Sequence, residues 1–216
     1  MNEAHSIDGS LIFEGTSAPM KSNLTFSIRQ LHDKGHSPGT STNYSFKDPS
    51  NQIWVTRSGI DKSEIREEDF ILLDNDGQVA EGYKEIKPSA EAEIHSVLYN
   101  LFPDVKVVLH SHSVFPIALT SLVKGNHLTF NGYEMQKGLS GITTHEGFVE
   151  IPIFDNSQDM SFFKHELTYR KMELKRGVFM IRKHGFYAWG KNLFEAKRHL
   201  ESFDYLCQCE WLILNK

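Results

Sequence analysis

Cysteine is almost missing from this 216-residue chain, which has two, Cys207 and Cys209. Lying two apart in a helical pattern, they fall on different faces and form neither a disulfide framework nor a C-x-x-C pair, so a reducing cytoplasm is the expected setting. Long apolar runs are missing as well. No stretch approaches the ~20 residues that a bilayer crossing needs, and the first residues carry no apolar signal core, so no membrane partner is expected. There is no basic block either: Lys+Arg 23 against Asp+Glu 28 gives a net charge of −5, which excludes an electrostatic footprint for nucleic acid. Internal repeats and low-complexity linkers are absent. With 39% hydrophobic and 24% charged residues, the composition is that of an ordinary globular chain, long enough for one well-buried core. One domain is expected over residues 23–216, after an arm of uncertain order over residues 1–22.

What the chain does have is histidine at 11 positions, and two of them end an apolar run, Val107-Val108-Leu109-His110-Ser111-His112-Ser113. Side chains at i and i+2 of a strand share a face, so His110 and His112 would project into one space at the strand's C-terminal end. That makes half of a metal site, or else two structural histidines with ordinary hydrogen-bond partners. A second apolar run, Gly177-Val178-Phe179-Met180-Ile181-Arg182-Lys183-His184, also ends at a histidine, so His184 is the candidate third ligand. Three imidazoles around a divalent ion leave a position open, which is the mark of a catalytic zinc site.

Upstream, a helix is expected over residues 23–35, stopped by Gly35. The loop Ser37-Pro38-Gly39-Thr40-Ser41-Thr42-Asn43-Tyr44-Ser45 follows, then a short strand (Ile53-Trp54-Val55) and a second loop, Thr56-Arg57-Ser58-Gly59-Ile60-Asp61-Lys62. Small hydroxyl–glycine loops can turn backbone N–H groups inward as an anion nest, and the second adds two cations; plain surface turns are the alternative. Ile71-Leu72-Leu73 reads as another strand, closed by the turn Asp74-Asn75-Asp76-Gly77. Lys87-Pro88-Ser89-Ala90-Glu91 opens a helix, with Ser89 as its cap and Ala90, Ile94, Val97, Leu98 and Leu101 as its apolar stripe. Glu91 and His95 share a helix face, either as a solvated pair or near the metal. Further on, residues 114–122 are expected helical, 148–154 a strand and 159–175 a helix with a charged, solvated face. Glu134 lies in Tyr133-Glu134-Met135-Gln136-Lys137-Gly138, just past the turn Asn131-Gly132. Asn192 and Glu195 have capping-box spacing before a final helix whose stripe is Ala196, Leu200, Phe203, Cys207, Trp211 and Leu214.

Taken together, Thr42-Asn43, Ser58-Gly59, Pro88-Ser89-Ala90-Glu91, His110-Ser111-His112 and His184-Gly185 resemble the class II (metal-dependent) aldolase and adducin-head superfamily over roughly residues 23–214. Arg182-Lys183-His184-Gly185-Phe186-Tyr187-Ala188-Trp189-Gly190, the closing helix and the segment around Glu134 are similar to its branch of dehydratases acting on methylthioribulose 1-phosphate. That resemblance implies an α/β fold of three layers, with a largely antiparallel central sheet, and a homotetramer with interfacial active sites. It implies one Zn²⁺ per subunit on His110, His112 and His184, gripping the C2 carbonyl and C3 hydroxyl of a phosphorylated sugar so that an enediolate can form. It further implies that Thr42, Asn43, Ser58, Gly59 and Ser89 hold the phosphate and that Glu134 is the acid/base of a dehydration in methionine salvage. Two departures stand out: Thr42 replaces a common glycine, and Glu91 matches the catalytic glutamate of the sugar-phosphate aldolases. Aldol cleavage, or a non-catalytic interaction module of adducin-head type, are the rival functions.

Overall fold

A computed structural model describes residues 17–74 and 77–214. In chain order it comprises α1 (Ala18–Asp33), β1 (Tyr44–Lys47), β2 (Ile53–Thr56), β3 (Phe70–Leu73), α2 (Ala92–Leu101), β4 (Val107–Ser111), α3 (Val114–Leu122), β5 (His127–Asn131), β6 (Phe148–Phe154), α4 (Met160–Tyr169), β7 (Val178–Ile181), β8 (Gly185–Gly190) and α5 (Leu193–Leu214). The strands form one sheet in the order β3-β2-β1-β4-β8-β7-β6-β5. Every neighbouring pair is antiparallel except β6 with β7, as the expected largely antiparallel sheet requires.

Side-chain alternation along the central strand builds the three layers. Val107 and Leu109 point to one face, where Leu24, Ile28 and Leu31 of α1, Leu119 of α3 and Ala196, Leu200 and Phe203 of α5 cover them. Val108 points to the other, under Ala92, Ile94, Leu98 and Tyr99 of α2 and Phe163 and Leu167 of α4. With both faces covered, all five residues of β4 are buried, which is why its sequence reads as a near-continuous apolar run. His110 follows Val108 in this alternation and faces the α2 layer.

Several boundaries differ from the sequence reading. The first helix begins at Ala18, inside the expected arm, because Pro19 sits in its first turn, where the missing N–H costs nothing. Residues 1–16 of that arm, and Asn75 and Asp76 of the expected turn after β3, lie outside the described residues. The helix after Ser89 starts only at Ala92, and Ala90 is exposed rather than part of the apolar stripe. The expected helix over residues 159–175 ends at Tyr169 and continues as a 3₁₀ segment, Lys171–Arg176. The stripe of α5 is buried through Cys207, but Trp211 is only partly covered and Leu214 is 59% exposed. Among the described residues, no helix is long and apolar enough to cross a membrane.

Candidate metal centre and active site

The end of β4 delivers the first pair of imidazoles. His110 is its penultimate residue and His112 lies one step beyond it. The turn between β7 and β8 delivers the third, since Ile181 pairs with Gly185 and the intervening residues loop back over β4. Lys183 takes φ 55 in that turn, and its N–H is held by the Thr120 hydroxyl at 2.9 Å, which aims His184 toward the other two rings. The ring centroids of His110 and His112 are 4.6 Å apart, and His184 lies 5.3 and 4.9 Å from them. Gly185 makes this approach possible: a Cβ there would come 2.8 Å from His112 Cδ2 and 3.0 Å from His110 Cε1.

Glu91 joins the histidines. Its Oε1 lies 2.7 Å from His184 Nε2 and its Oε2 lies 3.5 Å from His110 Nε2. One ligand atom from each of these four residues falls within 4.8 Å of the others. Of the two expected readings for Glu91, a solvated helix pair or a place near the metal, the first is corrected: it stands at the N-cap of α2, makes no side-chain cap bond and is turned into the histidine cluster.

The tautomers suit a cation. His110 donates from Nδ1 to the Phe186 carbonyl at 3.0 Å, and His184 from Nδ1 to Asn156 Oδ1 at 3.2 Å. His110 therefore presents a bare Nε2 lone pair, while the Nε2 of His184 is hydrogen-bonded to Glu91; carbonyl or amide oxygens of this kind routinely orient metal-binding histidines from behind. His110 Nε2 also sits 2.8 Å from His112 Nε2, a close approach of two nitrogens that a shared positive charge would stabilise. The Tyr187 ring stacks on His110 at 4.1 Å and fixes its plane. The donor set fits a divalent metal of the kind held by imidazole and carboxylate.

Beside the cluster lies a pocket of ≈ 190 Å³ lined by Thr42, Asn43, Ser58, Gly59 and Ser89, with Glu91 and His112 at the boundary. All five residues expected to hold an anion thus converge. The His110 N–H donates to the Asn43 carbonyl at 3.1 Å, tying the first loop to β4, while an Arg57–Pro88 bridge joins the second loop to the segment before α2. Thr42 has φ 67, a left-handed conformation that is strained for a β-branched residue and easy for the glycine it replaces. The two cations do not serve the pocket, contrary to expectation. Arg57 pairs with Asp69 at 2.8 Å, and Lys62 is buried with its ammonium donating to the Ile60 carbonyl at 3.0 Å.

Glu134 is not gathered here. On its 3₁₀ turn it is 68% exposed, paired with Lys137 and with His145 at 3.5 Å. It lines neither the anion pocket nor the histidine cluster. Asn156, which orients His184, escaped the sequence reading; its signal was a polar residue just past a buried strand, Phe148–Phe154, that runs parallel to the strand leading to His184.

Burial determines how these groups ionise. Desolvation lowers His110 well below its ordinary range and brings His112 to about 4 and His95, behind the pocket, to about 3. For Glu91 burial pushes upward, but the His184 hydrogen bond, the two neighbouring rings and the Asn43 amide outweigh it and hold the carboxyl below its usual range. The unfolded chain takes up protons on its histidines near pH 6.5, while the folded protein refuses them until about pH 4 or 3. Stability is therefore fully present above pH 6.5 and is lost as pH falls toward 4. At pH 5.5 the loss should be on the order of 2 kcal/mol for metal-free protein, or ~4–8 °C in Tm. Thermal melts of chelator-treated protein at pH 7.5 and 5.5 would show it, and equal midpoints would refute it.

Comparison with known proteins agrees with this geometry. The family described as Class II Aldolase and Adducin N-terminal domain matches residues 24–211. A protein named methylthioribulose-1-phosphate dehydratase from a Picosynechococcus species is 48% identical over 191 residues, covering 88% of this chain and 90% of that one. One of the same name from Xanthomonas oryzae is 40% identical, covering 88% and 84%. Among solved structures, an L-fuculose 1-phosphate aldolase superposes with a TM-score of 0.75 at 23% identity, covering 93% and 88% of the two chains. YgbL from Escherichia coli, described as a putative aldolase/epimerase/decarboxylase, does so with 0.75 at 19% identity, covering 90% and 89%. At such identities the structures speak for the fold alone.

Proposed function

The chain belongs to the class II aldolase and adducin N-terminal domain family, a metal-dependent enzyme family, and on that premise we propose that it is a hydro-lyase. Its reaction in our proposal converts 5-methylthioribulose 1-phosphate to 2,3-diketo-5-methylthiopentyl 1-phosphate and water, a dehydration of the substrate its relatives are named for, in methionine salvage. The observation that carries this reading is the convergence of His110, His112, His184 and Glu91 on one point beside a hydroxyl-lined pocket.

His110, His112 and His184 would hold a divalent ion, Zn²⁺ in our proposal. Bound there, the metal supplies positive charge to stabilise the anion that develops as C3 loses its proton. Thr42, Asn43, Ser58, Gly59 and Ser89 receive the phosphate through N–H, amide and hydroxyl donors, which anchors the sugar with C3 at the histidine end. Glu134 acts as the acid/base: its carboxylate removes the C3 proton and returns it to the departing C4 hydroxyl. Since Glu134 is exposed and lines neither the pocket nor the cluster of its own chain, our reading places it in a neighbouring subunit's site, with the working enzyme an oligomer, a cytoplasmic homotetramer. Exposed Met135 and Phe194, which flank one surface pocket beside it, suit burial between subunits.

A specific observation keeps a second reading open. Glu91 sits among the histidines, where a sugar-phosphate aldolase would use a carboxylate. Incubation of purified, metal-loaded protein with methylthioribulose 1-phosphate and, separately, with fuculose 1-phosphate distinguishes the two. Diketone from the first is expected; a triose phosphate from the second, with no diketone, would replace dehydration by aldol cleavage.

A further inference from the structure

Behind the anion pocket runs a buried chain of hydrogen bonds of which the proposed reaction uses only the Asn43 end. It links Glu91, Asn43, His95, Ser45 and Tyr99. His95 and Ser45 are completely buried, with Tyr99 1% and Asn43 2% exposed.

The direction of every bond follows from one end. Glu91 is a carboxylate and only accepts, so the Asn43 group facing it at 2.7 Å is the Nδ2 amide, which also donates to Ser89 Oγ at 3.0 Å. Asn43 Oδ1 then faces His95, which must donate to it from Nε2. With its proton on Nε2, neutral His95 has a lone pair on Nδ1, and this accepts the Ser45 hydroxyl at 2.6 Å. The Ser45 oxygen in turn accepts the Tyr99 hydroxyl at 2.8 Å. Burial keeps His95 uncharged throughout the working range of pH, so the pattern does not reverse.

We propose that His95 is a positioning residue: its Nε2–H pins the Asn43 side-chain oxygen, which turns the two amide N–H groups outward to Glu91 and Ser89 and so leaves the Ser89 hydroxyl to donate to the phosphate of the substrate. An unpinned asparagine amide can rotate by half a turn and present its oxygen instead, placing negative charge density against a carboxylate and drawing the Ser89 hydroxyl away from the phosphate. Ser45 and Tyr99 continue the chain inward, the Ser45 hydroxyl meeting the ring nitrogen that carries no proton. The proposal rests on the reading of the pocket as a phosphate site.

The test uses the full-length, metal-loaded protein and inorganic phosphate as probe. His95→Gln puts an amide N–H near the place of Nε2, His95→Asn puts one near Nδ1, and His95→Leu supplies neither. Calorimetric titration should show phosphate binding within about threefold of the parent for His95→Gln and weakened about tenfold for His95→Leu and His95→Asn, as expected for one buried hydrogen bond. Metal content should be the same in all. Crystal structures of the variants should keep Asn43 Nδ2 within ~3.2 Å of Glu91 in the Gln variant and lose that contact in the Asn variant. Equal phosphate affinity and an unmoved Asn43 in the Asn and Leu variants would overturn the proposal, as would rescue by Asn and not by Gln. Should the parent itself bind no phosphate, the pocket reading falls, while the Asn43 geometry in the Gln and Asn variants still decides the role of His95.

Discussion

Replacing His184 by alanine is expected to strip the divalent metal and lower turnover by at least about 10³-fold. His110 and His112 project from one strand end and cannot enclose an ion between them. The third side of the cage comes only from the turn between β7 and β8, where His184 Nε2 faces Glu91 at 2.7 Å. Even the groups behind metal ligands change affinity by ~10–100-fold when removed, so loss of a ligand itself should exceed that range. A metal that supplies ~4 kcal/mol of charge stabilisation in the transition state is worth about 10³ in rate. Elemental analysis and steady-state kinetics on the purified variant check both halves. Stoichiometric metal with turnover within tenfold of the parent would remove His184 from the cage.

Glu134→Gln is expected to lower kcat by about 10²–10⁴-fold, the range for loss of a general acid/base, while metal content and assembly stay as in the parent. The isosteric amide keeps the shape of the 3₁₀ turn but cannot take the C3 proton. Because the side chain is 68% exposed and, among the described residues, paired with Lys137 and His145, its loss should cost little stability. A sharper consequence follows from the proposed subunit arrangement. Mixed oligomers of Glu134→Gln with His184→Ala chains should regain activity that neither homo-oligomer has, since some sites would combine an intact cage with an intact carboxylate. Full activity of Glu134→Gln would return the proton transfer to Glu91, whereas an inactive Glu134→Gln with no recovery after mixing and reassembly would overturn the shared site and place Glu134 in its own subunit.

Much of the site was legible because its signals are local. An apolar run ending in H-x-H states a buried strand and its exit, and the i, i+2 rule then places both rings on one face, as the 4.6 Å ring separation bears out. The recurrence of that pattern at His184 supplied the third ring without any knowledge of the sheet order. The small-residue loops at Thr42 and Ser58 announced themselves by composition.

Other features were not readable, for reasons that lie in three dimensions. Lys62 and Arg57 looked like phosphate cations because charge is visible in sequence, whereas the partner that claims it, Asp69 or the Ile60 carbonyl, is chosen by how the loop closes. His95 could be read as a solvated partner of Glu91 or as a neighbour of the metal, since helical spacing gives only the shared face and says nothing of the strand packed over it. Glu134 matched a family segment, yet its own chain leaves it exposed.

The residues of this protein by themselves determined the strands, most of the helices and which three histidines stand at the ends of apolar runs, since each depends on neighbours a few positions apart in the chain. Tertiary structure alone decided that Glu91 turns inward, that Asn156 and Asn43 stand behind the histidines and the anion pocket, and which way the buried hydrogen bonds run. Those outcomes hinge on contacts between segments dozens of residues apart, such as Asn43 with Glu91 and His184 with Asn156, and no local periodicity encodes which distant donor will meet which acceptor.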